Sequence, residues 1–131
     1  MITILLVEDN ELNRDMLSRR LQRKGYDVIT AIDGSEALLM MASTLPDIVL
    51  LDMNLPIKDG WAVLNEARAD PLTAKIPIVA LTAHAMKEDR ERAMTAGCDE
   101  YETKPIDLPL LLKKIDALTG TSTLILKDSQ Q

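Results

Sequence analysis

Three carboxylates stand where apolar runs of the chain stop. Ile4-Leu5-Leu6-Val7 ends in Glu8-Asp9, and Ile48-Val49-Leu50-Leu51 ends in Asp52. Ile78-Val79-Ala80-Leu81 ends in Thr82, and Lys104 precedes Pro105 further on. If these runs are neighbouring parallel strands, the five polar groups gather at one sheet edge. Carboxylates about 4 Å apart repel by roughly 4 kcal/mol at an effective dielectric of about 20, so crowded acids take up protons or a cation. A few hard oxygen ligands, with room left for water and phosphate, suit Mg²⁺. A carboxylate beside such a metal can attack a phosphoryl donor and become an acyl phosphate. A lysine ammonium then offers a point charge to the phosphoryl oxygens, and a threonine hydroxyl a hydrogen bond. Singly, each residue has a plainer explanation: Glu8 and Asp9 favour the N-terminus of the next helix, Asp52 closes a strand, and Lys104 is a solvated charge.

The elements that must position these groups follow from hydrophobic patterning. Residues 2–7, 28–31, 48–51, 78–81 and 99–103 read as strands. A helix is expected over residues 10–24, with Asn10 as N-cap, Leu12, Met16 and Leu21 on or near one face, and Gly25 as its stop. Residues 35–44 form a second helix, and Asp59 caps a third that runs to about residue 69, with Trp61 packing it to the core. Residues 85–96 form a fourth, carrying a Glu88–Arg92 pair at i,i+4. Residues 107–118 form the fifth, where Leu108, Leu111, Leu112, Ile115 and Leu118 make a continuous stripe. Five strand–helix alternations predict an α/β, doubly wound, five-stranded parallel sheet with helices on both faces. Ligands of such sheets bind beyond the carboxyl ends of the strands, where the acids lie.

Composition narrows the class. A chain of 131 residues with 47% hydrophobic residues fits one domain with one packed core. Aromatics are 2% and Phe is absent, so the core must be aliphatic, aided by seven Met. A net charge of −6 argues against direct nucleic-acid binding and against an anionic membrane surface. Cys98 is the only cysteine, which excludes an internal disulfide. No apolar run approaches the roughly 18 residues of a membrane span, and no basic region precedes the first run as in a signal peptide. The expected location is cytoplasmic.

Taken in order and spacing, Glu8-Asp9, Asp52, Thr82 and Lys104-Pro105 resemble the response-regulator receiver domain of two-component signalling, of the single-domain, chemotaxis-receiver kind. Leu6-Val7-Glu8-Asp9-Asn10, Gly34-x-Glu36-Ala37-Leu38, Pro46-Asp47-Ile48-Val49-Leu50-Leu51-Asp52, Leu55-Pro56 with Asp59-Gly60, and Ala96-Gly97-Cys98 support it. The resemblance covers about residues 2–119. It implies a flavodoxin-like strand order 2-1-3-4-5, with a receiver domain over residues 1–119 and a flexible tail over 120–131. Asp52 is then the phosphoacceptor, served by a histidine kinase or phosphotransfer protein. Asp9 and Asp52 bind Mg²⁺ (or Mn²⁺) directly, Glu8 acts through water, and the backbone carbonyl of Asn54 is a further ligand. Thr82 and Lys104 contact the phosphoryl group, and Tyr101 is the switch residue that turns inward when Thr82 moves. The Lys104–Pro105 bond is expected to be cis. The protein is not an enzyme but assists its own phosphorylation and dephosphorylation. It signals to a downstream protein through the face built by the fourth helix, fifth strand and fifth helix.

Two departures stand out: Ile106 occupies a place that is Phe in many receivers, and His84, the only histidine, lies two residues after Thr82. His84 is read as a loop residue near the site. Met1 directly before the first strand favours a stand-alone receiver over one excised from a longer hybrid kinase or regulator. The apolar triplet Leu124-Ile125-Leu126 in the tail is expected to be ordered only against the domain or a neighbour. Three other readings compete. A Mg²⁺-dependent aspartyl-phosphate phosphatase of the haloacid-dehalogenase type needs a second acid where Asn54 stands. A nucleotide-binding module needs glycines where Glu8-Asp9-Asn10-Glu11 stands. A receiver-like module that is never phosphorylated would not need the intact acid set.

Overall fold

Side chains alternate across a strand, so an unbroken apolar run must be covered on both faces. The computed structural model, which describes residues 1–120, shows this arrangement. The chain alternates β1 (Thr3–Val7), α1 (Glu11–Arg23), β2 (Asp27–Ala31), α2 (Gly34–Thr44), β3 (Ile48–Asp52), α3 (Gly60–Ala69), β4 (Ile78–Thr82), α4 (Lys87–Ala96), β5 (Glu100–Thr103) and α5 (Leu108–Thr119). All strand pairings are parallel, in the order β2-β1-β3-β4-β5. The expected triplet Leu124-Ile125-Leu126 and the tail beyond Gly120 lie outside the described residues.

Alternation divides the strands between two cores. Leu5, Val7, Val49, Leu51, Ile78 and Ala80 face α2, α3 and α4, meeting Met41, Val63, Leu64, Ala67 and Ala93. Ile4, Leu6, Ile48, Leu50, Val79 and Leu81 face the other way, onto Leu21 of α1 and Leu111 and Ile115 of α5. The register Leu5↔Val49↔Ile78 aligns residues of one face across the three central strands. Every residue of β3 and β4 is buried, including the polar ends Asp52 and Thr82.

Helix starts are set by side-chain caps. Asn10, Asp33, Asp59 and Asp107 each accept from the N–H three residues on. Met86 cannot do so, and α4 begins without a side-chain cap, two residues later than its sequence pattern suggested. Two further expectations are corrected. Leu12 and Met16 of α1 are exposed, while Leu17 and Leu21 pack on the sheet; at about 100° per residue, nine positions put Leu12 half a turn from Leu21. The Glu88–Arg92 pair is not formed among the described residues. Arg92 instead lies 4.2 Å over the Trp61 ring of α3, a better-shielded partner than an exposed carboxylate.

Tyr26, just before β2, donates from its hydroxyl to Asp116 Oδ1 of α5 at 2.8 Å. Burial first, and then Asp116, push the phenol from 10.0 up to about 12. The neutral phenol is therefore the folded-state form. Its contribution is complete below the ordinary value of 10.0 and is lost as pH rises towards about 12. In a Tyr101→Phe background, ultraviolet titration should find the Tyr26 phenolate forming near 12, and Tyr26→Phe should lower stability by about 1 kcal/mol. A phenol titrating near 10 would contradict this.

Candidate metal and phosphoacceptor site

Parallel strands end on the same side, so the residues closing β1, β3, β4 and β5 share one edge, at the point where the strand order reverses. Asp52 is the last residue of β3 and 3% exposed. The loop after it is held from two sides. A Cβ on Gly60 would lie 2.5 Å from Met53 Cα, and one on Gly34 would lie 1.9 Å from the Lys58 carbonyl oxygen. Only glycine admits those approaches. Within this loop the Asn54 N–H donates to Asp52 Oδ1 at 2.9 Å.

Glu8 follows β1 and is 6% exposed. Its Oε2 accepts from the Asn10 N–H at 3.2 Å, while Asp9 faces solvent. One carboxylate oxygen from each of Glu8, Asp9 and Asp52 lies within 4.8 Å of the others. Lys104, directly after β5, reaches Asp52 Oδ2 at 3.0 Å and Glu8 Oε1 at 3.3 Å, and its bond to Pro105 is cis. Burial first, and then the Asp52 carboxylate, raise the Glu8 carboxyl above its ordinary 4.5, although the Asn10 N–H and Lys104 oppose them. For Lys104, burial alone would depress the ammonium; Asp52 and then Glu8 outweigh it, and the value is raised. Three carboxylates against one ammonium leave negative charge at a partly dry edge. All candidate ligand atoms are hard oxygens. The cluster therefore fits a small divalent cation, with open positions on the solvent side.

Thr82 ends β4 and is 5% exposed. Its Oγ1 accepts from the His84 N–H at 3.1 Å, and the Tyr101 hydroxyl donates to the His84 carbonyl. Tyr101 is itself 5% exposed, and burial raises its phenol. It already lies inward here. The His84 side chain is exposed, and its main chain does the linking. Trp61 shares a cavity of about 210 Å³ with Asn54, Thr82, His84, Arg92 and Tyr101.

Patterning gave no sign of two contributors. One is the His84 main chain, whose role depends on a loop path. The other is Arg14 of α1, whose guanidinium donates to the Glu8 and Asp9 carbonyls at 3.0 and 3.3 Å.

A doubly wound α/β fold with an acidic pocket at its switch point defines a class of Mg²⁺-competent phosphoryl-handling domains. The chain belongs to the response regulator receiver domain family, which residues 4–116 match. It is 36% identical over 118 residues to the polar-differentiation response regulator DivK of Brucella anthropi, covering 90% of this chain and 96% of that one. It is 41% identical over 116 residues to response regulator PleD of Caulobacter vibrioides, covering 88% of this chain but only 26% of PleD. Among solved structures, the receiver domain of sensor histidine kinase PA1611 from Pseudomonas aeruginosa, with magnesium coordinated in its active-site cleft, superposes with TM-score 0.84 at 35% identity, covering 91% and 98% of the two chains. Chemotaxis response regulator CheY4 of Vibrio cholerae superposes with TM-score 0.84 at 30% identity, covering 90% and 98%. Receiver domains are the signalling switches of two-component systems and bind Mg²⁺ through an acidic pocket, which the Glu8, Asp9 and Asp52 cluster fits.

A raised carboxyl on Glu8 favours folding below the ordinary 4.5 and opposes it as pH rises through the raised value. Glu8→Gln should therefore raise the urea midpoint of the metal-free protein at neutral pH and leave it unchanged below 4.5. Equal midpoints at neutral pH would show that Glu8 is not under charge strain.

Proposed function

We propose that residues 1–119 act as a phosphorelay switch whose phosphoacceptor is Asp52. The observation that carries this reading is the convergence of Lys104 Nζ on Asp52 Oδ2 at 3.0 Å, beside the Glu8 and Asp9 carboxylates. Glu8, Asp9, Asp52 and the Asn54 carbonyl would hold Mg²⁺, or Mn²⁺ in its place, with Glu8 acting through water. The metal supplies charge neutralisation for the transferring group. An Asp52 carboxylate oxygen attacks the phosphorus of a phosphohistidine on a histidine kinase or phosphotransfer protein. The new O–P bond forms as the donor's P–N bond breaks, and the imidazole leaves with its electron pair and takes up a proton. Lys104 moves from pairing Asp52 to pairing a phosphoryl oxygen.

Thr82 then reads the product. Its Oγ1 now accepts from the His84 N–H, and donation to a phosphoryl oxygen draws it towards Asp52. The His84 carbonyl carries the Tyr101 hydroxyl, so a shift of Thr82 moves the β4–α4 loop against Tyr101. Helix α4 is suited to respond: Ala93 is its only fully buried residue, and no side chain caps its start. A downstream protein would read the α4–β5–α5 face. Protein contact rather than nucleic acid accords with the net charge of −6, and cytoplasmic action with the absence, among the described residues, of a helix long and apolar enough to cross a membrane.

Incubation with acetyl phosphate and Mg²⁺ should add the mass of one phosphoryl group to the intact protein. Asp52→Asn, or a chelator, should abolish the gain, and Mn²⁺ should restore it after chelation. No gain with metal present, from acetyl phosphate or a phosphorylated kinase, would overturn the proposal. A gain that persists in Asp52→Asn would move the phosphoacceptor elsewhere.

A further inference from the structure

Asp9 is the least constrained of the three clustered acids. Its carboxylate is exposed and makes no hydrogen bond or ion pair among the described residues, whereas Glu8 and Asp52 are each held by a main-chain N–H and by Lys104. What aims Asp9 must therefore be its backbone. Between β1 and α1, the Glu8 N–H still donates to the Ala31 carbonyl and the Asn10 carbonyl already accepts from Arg14, whereas the two carbonyls on either side of the Asp9 Cα join neither ladder. The guanidinium of Arg14 reaches back from α1 and, through one nitrogen, donates to the Glu8 carbonyl at 3.0 Å and the Asp9 carbonyl at 3.3 Å. Those carbonyls belong to the two peptide planes that flank the Asp9 Cα. Because peptide units are planar, holding both planes restrains φ and ψ of Asp9, and with them the direction of its Cα–Cβ bond. Arg14 is anchored in turn, since its own N–H donates to the Asn10 carbonyl at 2.9 Å in the first turn of a helix capped by Asn10.

We infer that Arg14 is a positioning residue for the metal site, holding the Glu8–Asp9 loop so that the Asp9 carboxylate points into the cluster. This rests on the Mg²⁺ site proposed above. The inference has a distinctive sign. Arg14 is a cation close to a cation site, so by charge alone its removal should tighten Mg²⁺ binding. Positioning requires the opposite. Outer partners that orient ligands typically change metal affinity by about tenfold or more.

The test is calorimetric titration of Mg²⁺ into the full chain and into Arg14→Gln, Arg14→Lys and Arg19→Gln. Arg19 lies on the same helix, paired among the described residues only with exposed Asp15, and controls for lost charge. Arg14→Gln should bind Mg²⁺ about tenfold more weakly. Arg14→Lys, which keeps the charge without the guanidinium geometry, should fall between it and the parent. Arg19→Gln should bind as the parent does. Urea unfolding of the metal-free proteins separates positioning from simple loss of structure: a folded Arg14→Gln with weakened Mg²⁺ affinity supports the inference, as does a weakened Arg14→Lys if the Gln variant fails to fold. Unchanged or tighter binding in folded Arg14 variants overturns it. Absence of Mg²⁺ binding by the parent chain would instead overturn the site reading beneath it.

Discussion

Glu8 and Asp52 are carboxylates with almost no access to water, and Lys104 is shared between them. Burial of like charges is costly unless a counter-charge is close and the remaining lone pairs are hydrogen bonded. Here the sheet imposes the burial. Asp52 lies in the hydrogen-bonded end of β3, paired in register with Leu81 of β4, so its main chain cannot move outward without breaking the central ladder. The Asn10 and Asn54 N–H groups and Lys104 offset part of the penalty. The surplus is negative charge held at a fixed place. That surplus is what a small divalent cation at this edge would neutralise.

The same rigidity shapes how the site communicates. The sheet and α3 are locked by large apolar side chains and by Arg68, which bonds the Ala74, Ile76 and Gly97 carbonyls and pairs with Asp99. Those contacts fasten the C-terminal end of α4 to the body of the domain. Towards its N-terminal end the contacts are the Arg90–Glu100 ion pair, more than half exposed on the arginine side, and the loop that joins the Thr82 hydroxyl to the Tyr101 phenol through the His84 main chain. On the proposed function, a helix clamped at one end and more lightly held at the other would turn a small displacement at Thr82 into a larger one at the lightly held end. The tether lies beside the candidate site and the clamp away from it.

Much of the fold was legible because it rests on continuous patterns. The unbroken apolar runs at residues 48–51 and 78–81 read as strands covered on both faces, and Asn10 and Asp59 read as helix caps, as they are; Asp33 and Asp107 cap as well, though nothing in their patterning singled them out. What failed was the orientation of weakly amphipathic helices. The exposed side of α1 carries Leu12 and Met16, so counting apolar residues pointed to the wrong face. For α4, helical spacing offered Glu88 to Arg92, whereas the ring of Trp61, distant in sequence, took the guanidinium. The acids, Thr82 and Lys104 were readable as a set because each lies at or just beyond the end of a strand. Arg14 and the His84 main chain were not, because their contacts depend on the path of loops that no periodicity encodes.

The central claim is that the buried surplus charge at this edge is completed by a divalent cation. The most direct measurement is the unfolding free energy of the full chain at neutral pH as Mg²⁺ is titrated in at constant ionic strength. A folded-state site predicts that stability grows as RT ln(1 + [Mg²⁺]/Kd), reaching about 2.7 kcal/mol at a hundredfold excess over Kd, and that the gain disappears in Asp52→Asn. Stability that is indifferent to Mg²⁺, or that rises equally in Asp52→Asn, would contradict the account.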